Sequence, residues 1–362
     1  MPTYLRYSDD IEQTQPNEKE TTDEIQRVFQ ELRILAYDKL RHAVRDAHAK
    51  SHGILRGELR IDSGLPEELA QGLFATPRTY PVIVRYSTAP GDILPDGMPS
   101  FRGMAIKVIG VEGEKVLPEE RDAVTQDFLF VNHPTIPTGT VDKYLREIKQ
   151  LSQLAGQPDV VQKVAAVGTK AINVVANAVG EEVIGVVGQG KRETGLLDQT
   201  FFTMAALRYG DYFGKINAVP ITPALVETGK EHATHDDVAG LRDMVRRYFA
   251  THDAEYEIRI QLCTDLDKMP VEDGGIRWPE EESPYRRVAT LFLPAQESYS
   301  PARQVYADDI LSFNPWHTIP AHRPLGNIQR VRRQAYDESA KFRHEHNVRP
   351  RIEPKSIDEL PA

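Results

Sequence analysis

"TYPVIVRYST", residues 79–88, is a short β-rich run, and it is followed by two more of the same kind: "RGMAIKVIGV" (102–111) and "DFLFVNHP" (127–134). Turn-forming segments such as "APGDILPDGMPS" separate them. Upstream, "ILRGELRID" places Leu55, Leu59 and Ile61 at mainly alternating positions. Four strands in succession with no helix-length crossover predict an antiparallel meander, because parallel neighbours would need a long connection.

Working outward, residues 21–50 put Ile25, Val28, Phe29, Leu32, Leu35 and Leu40 at helical spacing, with Thr22 and Asp23 as the expected N-cap. Residues 141–187 read as helical. Strands return at 201–220, 255–265 and 286–297, a helix is expected over 235–252, and a last helix follows the turn-rich "FNPWHTIPAHRPLGN" (313–327). The expected fold is α+β: an eight-stranded antiparallel β-barrel with helices packed outside, closed so that no edge strand is left open. Residues 1–20 read as a polar arm, 21–350 as one domain and 351–362 as a tail.

The 362 residues carry a formal net charge of −10, which disfavours nucleic acid as a partner. Hydrophobic residues make up 40% and charged residues 27%, enough for a substantial core. The one cysteine, Cys263, excludes an internal disulfide. The start turns acidic at once, so no signal peptide is expected. The most apolar stretch, 171–188, is too polar to span a bilayer. The expected setting is cytoplasmic.

"GVVGQGKR" (185–192) has the outline of a phosphate loop, but Arg192 stands where Ser or Thr should hold magnesium, so a turn is the better reading. His317 with His322, and His344 with His346, lack metal-ligand spacing and read as surface or loop histidines. In the last helix Arg332 and Tyr336 lie four apart on one face, with Arg343 two turns on. That helix alone is equally an ordinary amphipathic one. The functional alternative is a phenolate held by a guanidinium, one of the few proximal haem ligands. It would want an acid–base group opposite, for which His48 in "RDAHAKSHG" (45–53) is suited, and cations for propionates.

Taken together these stretches resemble the haem catalase superfamily. Catalases read "RVVHAKG" where this chain has "RDAHAKS", "VRFST" for "VRYST", "RGFAVKFY" for "RGMAIKVI" and "IFFIRDP" for "FLFVNHP". Their Arg-x-x-x-Tyr signature matches Arg332 to Tyr336. The order holds over roughly residues 40–345, and the chain looks most similar to the small catalase-related peroxidases and allene oxide synthase-like proteins. The resemblance implies haem b with ferric iron and Tyr336 as the axial metal ligand, supported by Arg332. It implies His48 as distal acid–base, Ser87 orienting it, and Arg45, Arg85 and Arg343 on the propionates. Leu129 and Phe130 become apolar residues of the distal pocket.

The departures are informative. The catalase distal Asn falls in "AVTQD" (123–127), which offers only Thr125 or Gln126 as polar stand-ins; Val before the histidine is Ala47, and Gly after "HAK" is Ser51. Loss of a positioned hydrogen bond commonly costs about 10²-fold or more in rate. The expectation is therefore a haem peroxidase acting on hydrogen peroxide or organic hydroperoxides through an unidentified electron donor, with weak catalase activity at most, as a homodimer or larger. The alternatives are a fatty-acid hydroperoxide lyase or allene oxide synthase-like isomerase, its channel lined by the apolar segment 160–187, and a non-catalytic haem-binding protein. His52 reads as structural.

Overall fold

A computed structural model describes residues 3–89, 91–97, 100–155, 195–231 and 238–362. Among the described residues nine strands run β1 Lys50–Ile61, β2 Thr79–Thr88, β3 Arg102–Ile109, β4 Thr125–Val131, β5 Phe201–Phe202, β6 Leu207–Tyr209, β7 Tyr212–Pro220, β8 Ala254–Leu262 and β9 Arg286–Leu293. The helices are α1 Glu18–Leu40, α2 Val141–Ala155, α3 Pro223–Gly229, α4 Gly240–Phe249, α5 Pro301–Val305 and α6 Asn327–His346.

All pairings are antiparallel, and they close a ring. β1 to β5 follow in order, β5 pairs onward with β7, and β8 and β9 lead back to β1. Eight strands make the barrel, and β6 hangs from β7 as a hairpin across Gly210, whose φ of 63° suits glycine. The run read as one strand over 201–220 is thus three pieces.

Side-chain alternation fixes what lies inside. Val84, Tyr86, Ile106, Val108, Phe128 and Phe130 join the main core cluster. A small void lined by Leu59, Ile106, Phe128, Phe130, Ile216 and Ile258 draws on strands from opposite sides of the ring, so that cluster is the barrel interior. The alternate residues Ile83, Ala105, Ile109 and Leu129 face outward and pack against Tyr299, Tyr306, Leu311, Phe313 and Leu360.

Helix α1 begins four residues before the expected cap and stops at Leu40, because Arg41 turns left-handed (φ 54°) and its N–H returns to Tyr37 O. "RDAHAKSHG" therefore starts in a loop rather than on the helix. The last helix lies where its spacing placed it, as α6. Residues 235–252 yield α4 over 240–249. The apolar segment 160–187 and the "GVVGQGKR" loop lie outside the described residues. Both ends of the chain lie against the barrel: Leu5 N donates to Cys263 O at 2.9 Å, and Leu360 is fully buried. Among the described residues no helix is long and apolar enough to cross a membrane.

Candidate active site

On the outer face of the barrel, strand register aligns two rows. Ser51, Ser87, Gly103 and Val131 are cross-strand partners, and next to them lie Ile54, Arg85, Ala105 and Leu129. His48 sits over the first row. Its Nδ1 is 3.2 Å from Ser87 Oγ. Its backbone takes the left-handed conformation (φ 57°), uncommon outside glycine. A Cβ on Gly103 would lie 2.5 Å from His48 Nδ1 and 2.8 Å from Ser87 Oγ, so the ring rests on bare backbone there. Burial, then Arg85, Arg332 and Arg45, push the imidazole down to about 3, so it is neutral at physiological pH.

The loop bearing His48 is tied down on both sides. Arg33 of α1 forks onto Asp46 (Nε–Oδ1 2.9 Å, Nη2–Oδ2 2.6 Å), and Ser339 of α6 accepts from Asp46 N at 3.3 Å.

Tyr336 is half-buried on α6, and its Oη accepts from Arg332 Nη2 at 2.8 Å; Arg332 Nη1 is steadied by Gln329 Oε1 at 2.9 Å. The charge of Arg332 also bears on His48, which brings the α6 pair and the barrel histidine into one electrostatic environment.

Arg45, Arg85 and Arg343 converge on one turn, residues 306–311. Arg45 donates to Asp308 Oδ1 at 3.2 Å and Leu311 O at 2.8 Å. Arg343 reaches Asp308 O at 2.5 Å and Ser312 Oγ at 2.7 Å. Arg85 lies 3.5 Å from Asp308 Oδ1. Asp309 faces His42 and Asn347 instead. Two guanidinium groups thus share the Asp308 carboxylate while Arg343 holds its backbone carbonyl, and burial, then repulsion from Arg85 and Arg343, lowers the affinity of Arg45 for its proton. Arg343 Nε is buried without a partner.

Two expected site residues lie elsewhere. Thr125 sits six residues from Val131 along β4, about 20 Å away. It is fully buried and bonded to His317 Nε2 at 2.5 Å. It belongs to a buried charge network in which Lys107 bridges Asp127 and Glu353, each at 2.7 Å, and His317 meets Glu120. The alternative stand-in, Gln126, points inward and holds Ile319 N. Phe130 also points into the barrel, one residue out of phase with the site, whereas Leu129 is on the site's face. A one-residue difference in a strand exchanges faces, which motif alignment could not show.

The histidines read as surface groups are mostly buried: His317 is fully enclosed, His322 packs among Phe74, Phe128 and Tyr209, and His344 meets Ser312 Oγ at 3.0 Å. His52 is structural as expected, buried with Nε2 2.5 Å from Thr88 Oγ1. Among the described residues no three His, Cys, Asp or Glu side chains are grouped to hold a metal ion. Gly103, Ser51 and Asp308 were not singled out as site residues. An isolated glycine within a strand does signal close approach, so Gly103 was findable. Asp308 left no such signal.

The sequence matches no protein-family model and no curated protein. Its fold, however, is that of solved catalases. A fungal catalase superposes with a TM-score of 0.56 at 15% identity, covering 90% of this chain and 67% of that one. Catalase A from Saccharomyces cerevisiae gives 0.57 at 15% identity over 85% of this chain, and a bacterial catalase 0.54 at 16% over 85%. The chain spans 62% and 59% of the length of those two. With a closed antiparallel eight-stranded barrel, helices around it and this likeness to three catalases, the protein has the catalase-like fold.

Proposed function

We propose that the protein is a haem-dependent peroxidase for hydrogen peroxide or organic hydroperoxides, with weak catalase activity at most. The observation that carries this is the pairing of a neutral, Ser87-bonded His48 with an Arg332-bonded Tyr336, beside an arginine cluster. The donor set suits haem b: Arg45, Arg85 and Arg343 outnumber Asp308 by two charges, matching two propionates, and Arg343 Nε has a donor to spare. Tyr336, whose Oη accepts from Arg332, would hold the iron. A bound ferric haem would supply the redox chemistry for breaking a peroxide O–O bond.

The chain's own residues handle the proton. In the tautomer that places Nδ1–H on Ser87 Oγ, 3.2 Å away, His48 Nε2 carries the free lone pair. It takes the proton from one peroxide oxygen and delivers it to the other. Leu129 on the same face gives the site an apolar wall. No described residue stands in for the catalase asparagine at Thr125 or Gln126, which favours an external reductant over a second hydrogen peroxide.

Haem reconstitution tests this. The wild-type protein should give a high-spin ferric, phenolate-type spectrum that Tyr336→Phe loses, and peroxide turnover should fall at least 10²-fold in His48→Ala. No haem uptake, or identical spectra, overturns the proposal. A lipid hydroperoxide should be reduced to a simple alcohol; an allene oxide, aldehyde or ketol would identify an isomerase or lyase instead.

A further inference from the structure

The arginine nearest His48 is held by two side chains that the proposed reaction does not itself use. Arg85 is 2% exposed, and two of its three guanidinium nitrogens hold partners beside His48. Nε donates to Ser51 Oγ at 2.8 Å, and Nη2 donates to His48 O at 2.8 Å and Ala49 O at 3.3 Å. Ser51 in turn donates its hydroxyl proton to Asp308 Oδ1 at 2.6 Å. With that proton committed, the Ser51 lone pairs face Arg85 Nε, so the direction of each hydrogen bond is fixed.

We propose that Ser51 and Asp308 are positioning residues for His48, acting through Arg85 on the His48 carbonyl.

Three observations support this. First, His48 is a non-glycine residue at φ 57°, a conformation that persists only when its surroundings over-determine it. The Arg85 hydrogen bond to its carbonyl is the side-chain contact made to that backbone. Second, the register of β1 against β2 is broken by a bulge between Ser51 and Gly53. The bulge leaves Ser51 opposite Ser87, the residue that holds the imidazole. Two adjacent strand rows thus steer the ring through Ser87 and the backbone through Ser51 and Arg85. Third, Ser51 replaces the glycine that follows "HAK" in the motif this stretch resembles. A glycine there could neither accept from Arg85 nor donate to Asp308. Serine at 51 and aspartate at 308 complete each other, although 257 residues separate them.

The inference rests on the reading of His48 as the proton-handling group, but its test does not require turnover or haem. The cofactor-free protein, labelled at histidine nitrogens, is examined by NMR at about pH 7, where a neutral ring reports its tautomer. In the wild type His48 should show one neutral tautomer, set by Ser87. Ser51→Ala and Asp308→Asn should each convert this to exchange between tautomers, with the His48 midpoint rising by about a unit or more as the enclosure by Ser87 and Arg85 loosens. Ser51→Thr, which keeps the hydroxyl, should restore the wild-type pattern, and His52, on the same strand, should keep its own signals in every variant that is folded. If Ser51→Ala and Asp308→Asn leave the His48 signals unchanged, the positioning role is wrong. Failure of the haem test above with these shifts present would instead remove the peroxidase reading and leave the positioning intact.

Discussion

Gly103→Ala places one methyl group against the group proposed to move the proton. The added Cβ would lie 2.5 Å from His48 Nδ1 and 2.6 Å from Cε1, where ordinary contact begins at 3.4 Å. The imidazole must therefore retreat by about 0.9 Å, because β3 is paired on both edges and cannot withdraw. The 3.2 Å link to Ser87 Oγ does not survive such a shift. Misplacing a reacting group by about 1 Å costs about 10²-fold in rate, while overpacking one methyl costs about 1–3 kcal/mol of stability. The assay is steady-state peroxide turnover of the haem-loaded variant beside its thermal melt and its haem spectrum. Turnover should drop about 10²-fold with Tyr336 ligation intact, since Gly103 lies on the histidine side. Turnover within twofold of wild type would refute the argument that the ring rests on Gly103.

Two further outcomes follow from the same structure. His48 is held down to about 3 and His322 to about 4, both chiefly by burial, against 6.5 in an open chain. A depressed folded value means that the unfolded chain binds protons first. Stability is therefore full above about pH 6.5 and falls as the pH drops toward 4, by up to about 1.4 kcal/mol per pH unit for each histidine. Urea unfolding across that range reads it, and a flat profile would contradict the burial of these rings. Phe130→Ala should cost about 3–5 kcal/mol, as a large cavity in the barrel interior, and leave the spectrum of bound haem unchanged. A spectral change would return Phe130 to the site from which its strand phase removes it.

Much of the fold was legible because its signals are local. The β-rich runs at 79–88, 102–111 and 127–134 need only neighbouring residues to be read as strands, and the absence of crossovers between them dictates antiparallel pairing. The α6 face carrying Arg332 and Tyr336 follows from helical spacing, and the structure keeps their hydrogen bond at 2.8 Å. Arg45, Arg85 and Arg343 lie together at Asp308, a residue the resemblance did not include.

What the chain's order could not decide was phase, enclosure and distant pairing. Phe130 flanks Leu129 too closely for a motif to say which faces the histidine, and Thr125 lies on the site's face but farther along the strand; only the register of β4 on β3 assigns them to the barrel interior and to a buried ion network. Histidines 317, 322 and 344 look like loop or surface groups until β4, the aromatic cluster and the segment carrying Ser312 close over them. Asp308 acquires its role because a turn beyond β9 folds back onto β1 and β2, a contact between residues more than two hundred positions apart. Local propensity and spacing determine which elements form and which way their faces point. Burial, charge balance and the site are properties of surfaces that meet only once the barrel has closed.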